Sequence, residues 1–256
     1  MLHFALVALV QTSSALVPGQ ISPSHQPAAL DAVLAAKDYK KLGMTIQSVS
    51  RREDLRSDLD WLKAKMMAGE TAWVTMLYAR LLWAASEGLP PETQSQLKQT
   101  AGMATLYAYA AIQIDGTRCG DRSAPAHRLQ QLMAWNPEMW PFIASLPEAD
   151  RSTVLKLVPL LERRTAVQRD QHGDVEFLCR AGLEETSYNL QHGGSREVAA
   201  RPGQIGRQVE LYGDGKYKPS ERPLAEWKAE AARRRAALPA ALAAQFTSSS
   251  TSKSAP

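Results

Sequence analysis

The fold is decided by residues 70–86, which read ETAWVTMLYARLLWAAS. Apolar side chains between Trp73 and Trp83 leave this stretch, which is long enough for a helix, with little polar surface. A helix that is apolar nearly all round lies at the centre of a fold, because neighbouring elements must cover every face. Gly69 before the stretch and the Gly-Leu-Pro-Pro of residues 88–91 after it suit a helix stop and a new helix start. We therefore predict a central helix at residues 70–86.

The segments on either side also carry helical periodicity. Between Ser50 and Met67, Leu and Met side chains recur at spacings of four, three and four, which places them on one helix face. Residues 91–112 put small Ala side chains on one face, where a partner helix can approach closely. Pro159 predicts a kink or a break in the helix that follows residue 147. Further helices are predicted near residues 28–39, 125–135, 137–145 and 174–190.

These segments predict an all-α fold, an irregular multi-helix bundle with a loop-rich C-terminal extension and a final helix. Beyond residue 191 Gly and Pro crowd together, and only residues 204–212 favour a strand. We predict a signal peptide at residues 1–17, a linker at 18–27, a helical domain at 28–190, a loop-rich extension at 191–220, a basic C-terminal helix at 221–246 and a disordered tail at 247–256.

The first residues indicate export. The apolar run from Leu2 to Val10 and the small residues up to Ala15 are typical of a signal peptide and its cleavage zone. The run is shorter than the roughly 20 apolar residues that a bilayer span requires. No Lys or Arg precedes the run, so an apolar N-terminus on a cytoplasmic protein is the alternative. We expect a periplasmic or secreted protein, or a cytoplasmic one if this run is no signal peptide, with no transmembrane segment further on.

The chain has two cysteines, Cys119 and Cys179. An even number of cysteines in a protein that enters an oxidising compartment favours a disulfide. Cys119 lies in a Gly-flanked loop that can adjust to a partner, and Cys179 falls within the helix predicted at residues 174–190. We predict that the two are bonded. The alternative leaves both thiols free, with Cys119 reactive and Cys179 a small buried apolar residue.

A stretch of charged residues, 115–128, lies between two apolar helices and holds most of the candidate site residues. The charged side chains that we take as binding candidates are Asp115, Arg118, Arg122 and Arg128. In one interpretation the neighbouring arginines lower the pKa of the Cys119 thiol and His127 serves as its base. Together with Asp121, these residues would then form the centre of a thiol or hydrolytic enzyme.

In the competing interpretation the same stretch is a structured loop. Asp121 or Ser123 caps the helix that follows, and the arginines pair with Asp115 and Asp121. Cys119 is then tied to Cys179. No family signature surrounds Cys119, so we favour this interpretation.

Trp135 and Trp140 flank Asn136-Pro137, so one of them is expected near the surface, where it is a candidate for recognising a partner. The five histidines never fall at the spacing of metal ligands, and two distant cysteines do not make a zinc site. We therefore predict neither a metal nor a cofactor.

The excess of positive over negative charge lies in the C-terminal quarter of the chain. Residues 191–256 hold 11 Lys and Arg against 6 Asp and Glu. The basic side chains on and just before the final helix are Arg222, Lys228, Arg233, Arg234 and Arg235. A second, apolar face is predicted from Leu224, Trp227, Ala231, Leu238 and Leu242. The helix either contacts an anionic surface through its basic side or docks its apolar side on the main domain.

No catalytic, metal or nucleotide signature emerges from these patterns. Glu226 and Glu230 interrupt the basic face, and exported proteins seldom meet nucleic acid, so no nucleic-acid partner is expected. The leading hypothesis is a binding or structural module of the cell envelope that acts through contacts with a protein partner or another envelope component. The alternative is the thiol or hydrolytic enzyme described above.

Overall fold

The computed structural model describes residues 19–172, 175–199 and 207–247, and 74% of it is helical. Its helices are α1 (Pro27–Ala35), α2 (Tyr39–Gln47), α3 (Arg52–Met67), α4 (Ala72–Ser86), α5 (Pro91–Asp115), α6 (Ser123–Trp135), α7 (Met139–Ser145), α8 (Glu148–His172), α9 (Val175–Leu178), α10 (Leu183–His192) and α11 (Leu224–Thr247). Two strands, β1 (Gly194–Val198) and β2 (Gln208–Tyr212), pair antiparallel. The predicted all-α fold is confirmed. The predicted signal peptide, Asp174 and the tail beyond Thr247 lie outside the described residues.

Helix α4 lies at the centre of the core, as its composition predicts. Residues 71–79 are buried without interruption. Helix α5 packs along α4, α8 packs along α5, and α3 covers another side of α4. A small residue of α5 also permits the close approach of α7, since a Cβ on Gly102 would lie 2.9 Å from Ile143 of α7. The central layers of the bundle are therefore α4, α5 and α8.

The first predicted helix, residues 28–39, ends earlier than expected, and a second helix that was not predicted follows it. Helix α1 ends at Ala35, and α2 begins at Tyr39 after Lys37, which adopts a left-handed backbone with φ of 54°. Asp38 caps α2 by accepting a hydrogen bond from the backbone N–H of Lys41 at 2.9 Å. The prediction missed this turn because it contains neither Gly nor Pro.

Two other helix boundaries also differ from expectation. Helix α8 runs through Pro159 without a break, and this residue is buried within the bundle. The single helix predicted at residues 174–190 is divided into α9 and α10. The division falls at Ala181, with φ of 63°, and at Gly182, where a Cβ would collide with the Asp121 carboxylate. Cys179 therefore lies in a turn and not in a helix.

The segment interpreted as a linker is docked on α3. The Ser22 hydroxyl donates to Asp54 at 2.6 Å, and Nδ1 of His25 lies 2.7 Å from a carboxylate oxygen of Asp58. Both His25 and Asp58 are buried. Burial raises the pKa of Asp58 to about 6, against the opposing effect of His25. These contacts fix the chain at the point where it enters α1.

The final helix is part of the core. Helix α11 packs on α5 and α8 through Trp227, Ala231, Leu238 and Leu242, each at most 4% exposed. The predicted apolar face is correct for these four residues and wrong for Leu224, which is 60% exposed at the first turn. Strand β1 was not predicted, and β2 covers the later part of the predicted strand.

Candidate functional site

Cys119 and Cys179 form the predicted disulfide, with their Cα atoms 5.1 Å apart. Both residues are at most 1% exposed. The bond joins the loop after α5 to the turn between α9 and α10. Two surface depressions lie near these elements, and the disulfide fixes part of the wall of each.

Residues 220–222 form a strap across the disulfide loop. The backbone N–H of Gly120 donates to the carbonyl of Ser220 at 2.8 Å, and that of Arg222 donates to the carbonyl of Arg118 at 2.8 Å. A side chain on Gly120 would collide with Ser220, so the close approach requires glycine. The strap and the disulfide together hold the loop against the body of the protein.

The arginines of this loop bind partners on α11. The Arg118 guanidinium lies over the Trp227 ring at 4.5 Å, and Arg122 donates two hydrogen bonds of 3.0 Å to Glu230. The expectation that they pair with acids of their own loop is therefore wrong. Helix α11 brings an aromatic ring and a carboxylate from more than a hundred positions away.

Glu230 accepts hydrogen bonds from arginines in three parts of the chain. Besides Arg122, it accepts hydrogen bonds of 2.7 Å from Arg222 and Arg234. The hydrogen bonds from Arg222 and Arg122 lower the pKa of Glu230 to about 2. These interactions connect the disulfide loop, the strap and α11 through one carboxylate.

The basic side of α11 is largely engaged inside the protein. Arg222 and Arg234 bind Glu230, and Arg235 donates to Glu162 at 2.8 Å and to Asp170 at 3.1 Å. A guanidinium held by an internal carboxylate is less available for an anionic surface. An anionic partner would have to compete with Glu230, Glu162 and Asp170 for these guanidinium groups.

Asp121 acts as a cap for two helices. It accepts hydrogen bonds from the backbone N–H groups of Ser123 at 2.8 Å and Glu184 at 2.9 Å. These bonds outweigh the effect of partial burial, so the pKa of Asp121 is lowered. Its role at the start of α6 is the one that the structured-loop interpretation predicts.

The residues of the enzyme alternative are engaged differently from what catalysis requires. The Cys119 sulfur is bonded to Cys179, so a thiolate exists only after reduction. His127 is largely exposed on α6. Its pKa is lowered mainly by partial burial and secondarily by the positive charge of Arg128. Asp121 is held by backbone donors. Nothing in this arrangement supplies an activated nucleophile while the disulfide is intact.

Asp115 takes part in a buried ionic cluster that joins α5 to α8. Its Oδ2 accepts a hydrogen bond of 2.7 Å from Arg169, which also donates to Tyr107 at 3.1 Å and to Thr165 and Glu162. Burial raises the pKa of Asp115, with Arg169 opposing it. Burial also works against the charge of Arg169, but the surrounding acids keep its pKa above the ordinary value.

A cavity of about 380 Å³ lies above this cluster. Its walls come from the end of α1, the turn between α3 and α4, and the ends of α5 and α8. The charged residues that line it are Asp31, Lys37, Lys65, Glu70, Asp115 and Arg169. Of the sequence-predicted candidates, Asp115 alone lines this cavity. We call it the ionic cavity.

A second depression, also of about 380 Å³, lies between α2, α4, α6 and α9. Its aromatic walls are Tyr39, Trp73, Trp135 and Phe177. The ring centroids of Trp73 and Trp135 are 4.6 Å apart, and those of Trp73 and Phe177 are 5.5 Å apart. We call this depression the aromatic groove. It contains the sequence-predicted candidates Trp135 and Arg128.

Arg128 and Met44 complete the aromatic groove. The Arg128 guanidinium lies 4.4 Å from the Phe177 ring centroid and donates to the Phe177 carbonyl at 2.6 Å. Met44 is 56% exposed at the rim. Trp140, the other predicted tryptophan, packs instead against Tyr109. Both tryptophans are half-buried, and of the two it is Trp135 that lines the aromatic groove.

Comparison with protein families, curated proteins and solved structures finds no match for this chain. Within the described residues, no helix is long and apolar enough to cross a bilayer. The same part of the chain contains no group of three or more His, Cys, Asp and Glu residues arranged to hold a metal ion.

Sequence reasoning missed Arg169, Glu162 and Tyr107. Each lies in a long helix with no local motif around it. Arg169 is 54 positions from Asp115 and 62 positions from Tyr107. A polar triplet of this kind becomes visible only when the helices are packed. The local sequence signal close to the cavity was Gly69, which separates α3 from α4.

Proposed function

We propose that this chain is an exported helical module that binds a partner protein of the cell envelope through the aromatic groove. The observation that carries the proposal is an exposed methionine beside the half-buried rings of Tyr39 and Trp135, which are backed by the buried rings of Trp73 and Phe177. Aromatic and Met side chains are enriched where proteins recognise one another, because aromatic rings bury a large area at low entropic cost and Met adapts its shape to a partner. The groove is of the size that binds a side chain or a short segment.

The charges of the groove specify the chemistry of the partner. Lys40 and Arg128 line it, and within the described residues no Asp or Glu does. A partner that places a carboxylate here meets complementary charge, which favours association and disfavours basic competitors. The expected occupant is a peptide segment with an aromatic or large aliphatic side chain beside an acidic residue.

The disulfide supports this proposal in two ways. It lies two residues from Phe177, and so it restrains one wall of the groove in the binding geometry. Restraint before binding reduces the entropy that binding must overcome. A buried disulfide also favours an oxidising compartment, in agreement with the proposed export.

Selection from a random peptide library tests the proposed partner chemistry. We expect the wild-type protein to enrich peptides that carry an aromatic or Leu residue next to Asp or Glu. Met44→Glu should abolish their binding, because it adds a negative charge at the rim and removes an apolar contact.

Met133→Glu is the matched control, since Met133 is 50% exposed on α6 and does not line the groove. It should leave binding unchanged. Enrichment of basic peptides, or of peptides that bind both variants equally, would show that the groove is not the recognition site.

A further inference from the structure

The ionic cavity carries an inference independent of the aromatic groove. Its charged lining is balanced, with three acids and three bases. Lys65 lies 2.8 Å from Asp31, and Asp115 is bound to Arg169. A balanced lining creates little net field, so the cavity offers no electrostatic preference for an ion of either sign.

Asp115 has unused hydrogen-bonding capacity at the floor of the cavity. Its side chain is 9% exposed, and Oδ1, which is itself almost fully buried, has no hydrogen-bond partner within the described residues. A buried carboxylate oxygen without a donor costs free energy, and a donor that enters the cavity relieves that cost. At the mouth, Lys37 and Glu70 form no ion pair in the described part of the chain, so a donor and an acceptor are available there.

Most of the remaining wall is apolar, although Thr71 and Tyr39 also line it. Leu34, Ala72 and Leu178 face the same space as the charged residues. A ligand that combines hydroxyl groups with C–H faces satisfies both kinds of wall, because it can donate to a carboxylate, accept from an ammonium and pack against aliphatic side chains. A second cation beside Asp115 would be repelled by Arg169, whereas a hydroxyl would not.

We propose that the ionic cavity binds a small neutral polyhydroxylated ligand of the monosaccharide class. Asp115 accepts a hydroxyl hydrogen bond at the floor, and Lys37 and Glu70 bind hydroxyl groups at the mouth. This site is separate from the aromatic groove, although Tyr39 contributes to the walls of both.

Saturation-transfer NMR with glucose and N-acetylglucosamine at millimolar concentration tests this proposal. Glutamate, lysine and inorganic phosphate serve as charged comparison probes. We expect transfer to the ring protons of at least one of the two sugars and none to the charged probes. Asp115→Asn should weaken binding about tenfold, as expected for the loss of a hydrogen bond to a charged group.

Ala35→Trp keeps the test decisive if Asp115→Asn does not fold. Ala35 is exposed at the mouth of the cavity, and a Trp there should block entry and abolish transfer. Ala36→Trp is the matched control, because Ala36 is exposed and does not line the cavity, and it should retain transfer. The proposal is overturned if neither sugar binds, if only charged probes bind, or if Ala35→Trp binds sugar as well as Ala36→Trp does.

Discussion

Glu230 shows how one carboxylate can hold distant parts of the chain together. It binds Arg122 of the disulfide loop, Arg222 of the strap and Arg234 of α11. Its pKa is about 2 in the folded protein, against an ordinary value of 4.5. Because the folded pKa is depressed, the ionised carboxylate stabilises the fold above pH 4.5, and this contribution is lost as the pH falls from 4.5 towards 2.

Glu230→Gln is therefore expected to lower the free energy of unfolding by about 2 kcal/mol at pH 7, the magnitude typical of hydrogen bonds to a charged group. The difference from wild type should shrink as the pH approaches 2.5. Urea denaturation at a series of pH values measures it. Glu226→Gln is the control, since Glu226 is 60% exposed and should cost less than about 0.5 kcal/mol. A cost for Glu230→Gln that is independent of pH would contradict the role assigned to this carboxylate.

Gly69 is required both by its left-handed backbone conformation and by the close approach of α8. Its φ is +74°, and a Cβ there would lie 3.1 Å from the Thr165 carbonyl and 3.0 Å from Gln168. Gly88 has a similar φ of +76° but open space around it. Gly88→Ala should cost about 1 kcal/mol from backbone strain alone, and Gly69→Ala should cost clearly more. Thermal unfolding of the two variants measures the difference in stability. Equal losses of stability would show that a side chain at residue 69 does not collide with α8.

Single residues divide into those that sequence can reveal and those that it cannot. The pairing of the two cysteines follows from their number and expected compartment. The partners of Arg118 and Arg122 do not, because Trp227 and Glu230 reach them only after α11 has docked. Ionic partners across the core require knowledge of the packing.

At the scale of elements, α11 is expected to contribute strongly to stability. Trp227 is 4% exposed and packs beneath Arg118. Trp227→Ala should lower the free energy of unfolding by about 3–5 kcal/mol, as for other buried aromatic residues. Leu224→Ala, in the exposed first turn, should change it by less than about 0.5 kcal/mol. Chemical denaturation measures both, and a small effect of Trp227→Ala would mean that α11 is not part of the core.

Strands β1 and β2 are expected to unfold locally more easily than the strap at residues 220–222. The hairpin of β1 and β2 is largely exposed, whereas the strap at residues 220–222 bonds to the disulfide loop. Local unfolding is easiest where few buried contacts oppose it. Hydrogen–deuterium exchange should therefore be fast in the hairpin and slow at Gly120 and Arg222. Fast exchange at these two amides would show that the strap is open in solution.

Elements with strong periodicity were predictable, and those set by tertiary contacts were not. Helix α4 follows from its continuous apolar sequence, and α5 follows from its small-residue face. The turn at Lys37 and the division at Gly182 depend on close contacts or backbone conformations that composition does not reveal. Pro159 shows the converse, since packing maintains a helix where the sequence favours a break. For the same reason, sequence identified Trp135 and Asp115 as candidates but could not show that they belong to separate depressions.

At the scale of the whole molecule, the Cys119–Cys179 bond is the central claim. It closes a loop of 60 positions and restrains a wall of the aromatic groove. In the chain-entropy model a loop of this size contributes about 4 kcal/mol, a large part of the roughly 5–15 kcal/mol that stabilises a typical domain. The proposals of export and of a pre-organised groove both draw support from this bond, provided that it is present in the native compartment.

Mass measurement after alkylation tests this claim most directly. Protein taken from its native compartment should incorporate no alkylating reagent before reduction and two equivalents after reduction. Both alkylations must be carried out under denaturing conditions, because both sulfurs are buried and would escape the reagent in the folded protein even as free thiols. Two alkylated thiols in the denatured, unreduced protein would contradict the account, weaken the case for export and revive the thiol-enzyme alternative at Cys119.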